Sequence, residues 1–488
     1  MADELPEIGE FAFAFVQFMR AMHEAAVGPE GPWTQTLRDH LGVEPSGLPV
    51  TTATFRIADR PNLQLALDAV LPDRELVGVS PRFTDGGEGF AGLLGRHGAH
   101  DWAAGTALQY VDVEIGDGRV MQCVSGALIL TQFEGEPVAL LLSEGGRRTG
   151  PHMMSNESEV RLEGIAPAIG VTSRLFTALR SAMLEHNVFR GHVISFTGFG
   201  AVVFHPVPEV TRDAVVLPSG VLERLEQHAI GISHHAKQLR SAGRHLKRGI
   251  LLHGPPGTGK TLTVNYLLTS TSGRTTVLLT GGGLAFVEAA FGIARELAPS
   301  TVVLEDVDLV ATERFTRGST GVLFELLNEL EGLDEDTDLL VVLTTNRPDV
   351  IEPALAARPG RVDLALEAPL PDPEGRRRLL HLYAQEISIP ESELDELVTL
   401  TEGVTGAFIK ELMRQATLRA AIGGRPPTAD DVRAIAEELL DDRATLTRRL
   451  LGDGSGDGEP IGEPLPTMTR AVNAAGLVSV TQRRHPLR

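Results

Sequence analysis

The segment GPPGTGKT, Gly254 to Thr261, combines residue types that together can hold a chain of phosphates. Gly254, Gly257 and Gly259, with Pro255, Pro256 and Thr258 between them, let successive backbone N–H groups turn toward one centre and cradle phosphate oxygens. Lys260 then has the reach for β- and γ-phosphates, and the Thr261 hydroxyl stands where a bridging Mg²⁺ needs an oxygen ligand. Leu262 opens the apolar helical stretch that follows, whose N-terminal partial charge adds to the attraction for an anion. Further along, LEDVDLV (Leu304 to Val310) delivers two acids, Glu305 and Asp306, to the end of an apolar run. Two carboxylates at one strand end can divide two tasks, one holding the metal and the other orienting and polarising an attacking water.

These groups need a scaffold that brings strand ends together. GILLH precedes the glycine-rich turn and LTVNYLL follows it, so strand, loop and helix come in the order that phosphate binding requires. Short apolar strands recur at TTVLLT, TVVLE, DLLVVLTT and VDLALEA, separated by helix-length segments, which predicts a parallel sheet covered on both faces. The expected fold class is α/β: a phosphate-loop NTPase αβα sandwich over 206–370, then a small helical lid over 371–449. Within the lid, Thr405 and Thr428 are expected N-caps, and Gly423-Gly424 before Pro426 a helix stop.

Residues 1–205 are expected to form an α+β N-terminal domain, whose role the sequence does not reveal. A helix is predicted near Phe11 to Ala26 and strands at LPVTTATFRI, VMQCVSGALILTQF and PVALLLS, the last two joined by EGE as a hairpin. A helix from Ala166 to Glu185 and a strand at GHVISFTGF complete it. Pro206 to Pro218 reads as a connector, and 450–488, with its Gly-, Pro- and acid-rich GDGSGDGEPIGEP, as a flexible tail.

At 488 residues the chain exceeds one ordinary domain, and at 42% hydrophobic it can bury real cores. With 65 acids against 44 bases and a net charge of -21, it repels phosphate backbones, which argues against nucleic acid as the main partner. The one cysteine, Cys123, excludes an internal disulfide framework and fits a reducing cytoplasm, the localisation expected here. The opening MADELPEIGE lacks a basic leader. The most apolar early run, FAFAFVQFM, is about half the length needed to span a bilayer, so no membrane partner is expected. His97 and His100 in HGAHDW, and the pair His234-His235, lack companions for a metal-ligand set. GRRRLL, Gly375 to Leu380, reads as a solvated helix face.

RGILLHGPPGTGKT resembles the phosphate loop of the AAA family of ATPases, with His253 where that family usually has Tyr. The resemblance runs from about Val216 to Leu440. AAFGIARELAPS is similar to the family pattern before its acidic strand, and FELLNELEGLDEDTDLLVVLTTNRPDVIEPALAARPGRVD to its second region of homology. In register, Glu305 falls where the family usually has its metal-shell Asp, Asp306 on its usual catalytic Glu, and Asp308 on a further family Asp. Exchanging Glu and Asp changes each arm by about 1.5 Å but removes neither charge. The mitochondrial translocases of the Rieske iron–sulfur protein, a subgroup of this family, look the same at LEDVD, so a working site is expected.

The resemblance implies ATP and Mg²⁺ as cofactors and ATP hydrolysis to ADP and phosphate. It implies Asn346 as the residue that holds the lytic water, and Arg358 and Arg361 as arginine fingers acting on a neighbouring subunit. It implies Gly406 and Ala407 as lid residues near the adenine, a homo-oligomeric ring (a hexamer), and remodelling of a protein partner. Two other readings stay open: a nucleotide-gated scaffold with little turnover, and a DNA-associated ATPase. The chain departs from the family in having Glu352 where Asp is favoured and Leu364 where a further Arg is common. It also lacks an aromatic–apolar–Gly pore loop: Phe286-Val287 in LTGGGLAFVEAAFGIAR is the one candidate, and no Gly follows it.

Overall fold

The computed structural model describes residues 13–19, 32–79, 89–94, 107–145, 159–197, 200–207, 209–309, 326, 328–330, 336–351, 362–385 and 387–441. Strands β1 (Thr51–Arg56), β2 (Glu75–Val77), β3 (Gln109–Glu114), β4 (Val120–Phe133), β5 (Glu136–Gly145) and β6 (Glu159–Ile165) form an antiparallel sheet. Its order is β1-β6-β5-β4-β2, with β3 pairing to β4. Alternation along β4 and β5 builds two cores, one on each face. Ile129, Val138, Leu140 and Leu142 pack under helices Arg60–Val70 and Val171–Glu185. Leu128, Leu130, Ala139 and Leu141 meet Trp33 and Leu37 of helix Pro32–Leu41 on the other. The expected hairpin is present: Glu134 and Gly135 both have positive φ, 55° and 82°, the two-residue turn that matches strand twist. Of the helix predicted near Phe11 to Ala26, only 13–19 lies within the described residues, and it is helical.

A second sheet contains β7 (Val193–Phe196), β8 (Val202–His205), β9 (Arg248–His253), β10 (Thr275–Leu279), β11 (Ser300–Leu304), β12 (Leu339–Thr345) and β13 (Leu364–Glu367). Its order is β13-β9-β12-β11-β10-β7-β8. All pairs are parallel except β7 with β8. The strands read from the sequence at GILLH, TTVLLT, TVVLE, DLLVVLTT and VDLALEA are all here; the first four are almost wholly buried, with apolar residues on both faces as a covered parallel sheet requires, while β13, at the edge, buries only Leu366.

The expected boundary at 205 does not hold in this sheet. GHVISFTGF, expected within the N-terminal domain, instead supplies β7, which pairs in parallel with β10, and β8 follows as the new edge. Ile194 and Phe196 enter one core of the sheet and Val193 the other. The antiparallel sheet is also covered on both faces, so it is pairing with β10, not apolarity, that sets where β7 lies.

Helices Pro373–Ala384, Glu391–Leu400, Gly406–Ile422 and Ala429–Leu440 make the lid around Leu380, Phe408, Leu412 and Val432. Thr405 caps its helix by accepting from the Phe408 N–H at 3.3 Å, and Thr428 forms a capping box with Asp431. GRRRLL is not simply a solvated face. Arg376 is buried and donates to the carbonyls of Val398 and Pro371, while Arg377 pairs with Glu391 and Asp395. No helix among the described residues is long and apolar enough to cross a membrane.

Candidate nucleotide site

The chain leaves β9, crosses to β10, returns through β11 and β12, and later places β13 on the far side of β9. The crevice outside the carboxyl ends of β9, β11 and β12 is therefore the switch point where open α/β sheets bind ligands. The predicted residues of GPPGTGKT and LEDVD all lie there.

Gly254 follows β9 with φ 147°, and a Cβ at this position would come 2.2 Å from the Ala368 carbonyl oxygen, so only glycine fits. Lys260 begins helix Lys260–Ser270; its ammonium is buried and donates to the carbonyls of Gly254 and Pro255, each at 2.8 Å. Thr258 closes the same turn by donating to the Pro255 carbonyl at 2.9 Å. Burial pushes the Lys260 ammonium below its usual range, and the charges of Asp306 and Asp308 partly oppose that.

The two acids diverge. Glu305 is half-buried and held in register by its N–H, which donates to the Leu279 carbonyl at 3.0 Å. Burial raises the Glu305 carboxyl above the usual range, with the Thr261 hydroxyl opposing and the Asp306 charge reinforcing the rise. Asp306 sits at φ 52°, a left-handed conformation that Asp tolerates better than most side chains. Its N–H donates to the Thr344 hydroxyl at 3.0 Å, and its Oδ1 accepts from Asn346 Nδ2 at 3.0 Å. Asp308 is buried and does a different job: it accepts from Thr345 Oγ1 at 2.8 Å and from the Asn346 N–H at 3.1 Å, fixing the end of β12.

The lid closes the other side. The Ala407 N–H donates to the Gly257 carbonyl at 3.1 Å, and a Cβ on Gly257 would lie 3.0 Å from Thr405 Oγ1 and 3.1 Å from the Ala407 Cβ. A cavity of about 170 Å³ opens between Gly257, Gly259 and Leu262 on one side and Leu379, Tyr383 and Ala407 on the other. Val215 and Val216 also line it; they fall in the stretch read as a connector. Leu379 and Tyr383 stand four apart on one helix, the spacing of a single face, which is the signal that could have identified them.

Glu305, Asp306, Asn346, Lys260 and Thr261 are thus brought together, with Gly406 and Ala407 beside the loop. Arg358, Arg361 and Glu352 lie outside the described residues, as do His97 and His100. Phe286 does not project from the sheet: it is buried and stacks on Phe196 with ring centroids 5.3 Å apart. Among the described residues no group of His, Cys, Asp and Glu forms a metal site, His234 and His235 included.

Residues 250–370 match the model of the ATPase family associated with various cellular activities (AAA). A proteasome-activating nucleotidase of Sulfurisphaera tokodaii is 30% identical over 267 residues, covering 48% of this chain and 68% of that protein. One from Methanocaldococcus jannaschii is 34% identical over 224 residues, 42% of this chain and 52% of that relative. The 26S proteasome regulatory subunit 6B homolog of Saccharomyces cerevisiae is 39% identical over 226 residues, 43% of this chain and 49% of the yeast protein. The chain spans about half the length of these last two relatives. With a phosphate loop, an acidic strand end and a helical lid in one crevice, and with these relatives, the chain belongs to the ATPase family associated with various cellular activities (AAA).

Proposed function

We propose that this chain binds ATP with Mg²⁺ and hydrolyses it to ADP and phosphate, and that the exchanged acids divide the work. The observation that carries the reading is geometric: Asp306 Oδ1 accepts from the Asn346 amide at 3.0 Å, at the same strand ends from which the buried Lys260 ammonium and the phosphate loop open. Thr261 and Glu305 offer hard oxygen donors, and a half-buried carboxyl pushed upward by burial and by the neighbouring Asp306 charge is a fitting ligand for a divalent cation. When bound, Mg²⁺ supplies charge neutralisation to the β- and γ-phosphates. Lys260 exchanges its two loop carbonyls for phosphate oxygens, and the loop amides orient the chain of phosphates. Asp306 takes the position of the base that orients water, with the Asn346 amide steadying both. The Glu-Asp order is read as a working variant like that of the Rieske-protein translocases.

Arg358 and Arg361, by their resemblance to arginine fingers, are proposed to complete the site of a neighbouring copy in a ring, a hexamer by analogy. The relatives' names, proteasome-activating nucleotidase and proteasome regulatory subunit, support a protein as the partner that is remodelled. A net charge of -21 and a single cysteine support action in the cytoplasm, away from nucleic acid.

Phosphate release measured with Asp306→Asn as control tests the reading. Asn also tolerates φ 52°, so this change removes a charge without disturbing the backbone. The variant is expected to bind ATP and stall, and turnover equal to that of the unsubstituted chain would remove Asp306 from the mechanism.

A further inference from the structure

Two routes leave Glu305 and meet again on the N-terminal unit. Across the ladder, its N–H bonds the carbonyl of Leu279, the last residue of β10, and the chain then runs through the turn of helix Gly281–Phe286. Phe286 ends that turn, stacked on Phe196 at 5.3 Å and 26°. Backward along β11, the chain reaches helix Val287–Glu296, and Glu296 pairs with Arg56 of β1 at 2.8 Å. Arg56 is held in turn by Asp59 at 2.6 Å, and Ala58, between them, belongs to the same buried cluster as Phe196 and Phe286. The two routes therefore converge on residues 56–59.

A cleft runs beside the contact. A cavity of about 160 Å³ lies along it, lined by Phe55, Ile57, Ala58, Phe196, Phe286 and Ala289. A ring on the wall of a cleft has free space beside it, and coupling between distant sites needs an element with two discrete arrangements.

We propose that Phe286 is a transmission contact, through which the nucleotide state at Glu305 shifts residues 51–59 of the N-terminal unit, so that the protein partner is worked on through that unit. The proposal rests on the reading of Glu305 and Thr261 as a nucleotide site. It gives Phe286 a role that a substrate grip cannot share, because a ring buried against Phe196 is out of reach of a threaded chain.

Hydrogen exchange of the full chain with Mg²⁺ and either adenosine 5′-(β,γ-imido)triphosphate or ADP tests it, with nucleotide affinity measured in parallel. Exchange over 51–59 is expected to differ about fivefold or more between the two nucleotides, the lower range of allosteric coupling, and to become equal in Phe286→Ala and Phe286→Leu. Phe286→Leu keeps an apolar side chain in the core, so it remains informative if the alanine variant fails to fold. A difference that survives at full size in the leucine variant overturns the proposal. So does the absence of any difference in the unsubstituted chain while the analogue binds. Failure of the analogue to bind would overturn the nucleotide reading itself, and the affinity measurement separates that outcome from the others.

Discussion

The amide of Asn346 donates to Asp306 at 3.0 Å, while the backbone N–H of the same Asn346 is held by Asp308 at 3.1 Å. Residues two apart after β11 thus grip one residue after β12 by its side chain and by its main chain. Asp308 acts on the backbone and leaves Asp306 to face the crevice. Asn346→Ala is expected to lower phosphate release about 10²-fold with nucleotide affinity little changed, the loss typical of removing one positioned donor. Single-turnover kinetics with a parallel affinity measurement check it.

Gly257 is where lid and phosphate loop touch. At φ 79°, with Thr405 and Ala407 only 3.0 and 3.1 Å from where its Cβ would be, an alanine must both strain the loop and push the lid away. A left-handed alanine costs about 1–2 kcal/mol, so Gly257→Ala is expected to weaken ATP binding about tenfold. Titration calorimetry reads this directly.

The base of the larger sheet is tied by charge. Asp338 accepts from Arg248 at 2.8 Å and from Arg274 at 3.0 Å, with Arg248 almost wholly buried. Burial alone would raise the Asp338 carboxyl, but the hydrogen bonds and charges of Arg274 and Arg248 outweigh it and hold it below the usual range. Asp338→Ala leaves two guanidinium groups without their counter-charge and is expected to cost about 3 kcal/mol. Denaturant unfolding is the measurement, and the change should spare nucleotide affinity under conditions where the chain is folded.

The lid carries a pH dependence. Hydrogen bonds from Arg425, at 2.5 and 2.6 Å, with help from Thr428, hold Asp431 far below the usual carboxylate range. A carboxylate depressed in the folded chain contributes stability that is complete above its unfolded pKa of about 3.9 and is lost as pH falls below it. Lid stability is expected to decline on acidification below about pH 4, and Asp431→Asn should flatten that decline while lowering stability near neutrality. Thermal unfolding followed across that range reports both.

Much of this protein was legible in the linear chain, because its strongest signals are local. A glycine-rich turn between an apolar strand and a helix, two acids at a strand end, and Thr before each of two lid helices depend on neighbours within a few residues. Local sterics and capping decide them. The order Glu305-Asp306 was legible too, but its reason was not: only the positive φ at 306 shows that the reversal puts the better left-handed residue at that point.

Three matters depended on contacts between segments far apart in sequence. Whether VISF joins the antiparallel or the parallel sheet is decided by pairing with β10, some eighty residues later, and composition carries no trace of that choice. Whether Phe286 projects or packs is decided by Phe196, and whether Asp306 meets Asn346 by the pairing of β11 with β12. Type and spacing determined which chemistry this chain can hold, since those act within one turn or strand. Sheet order determined where the chemistry is aimed and what it pulls on, since hydrogen-bond register and core packing exist only once the distant strands have met.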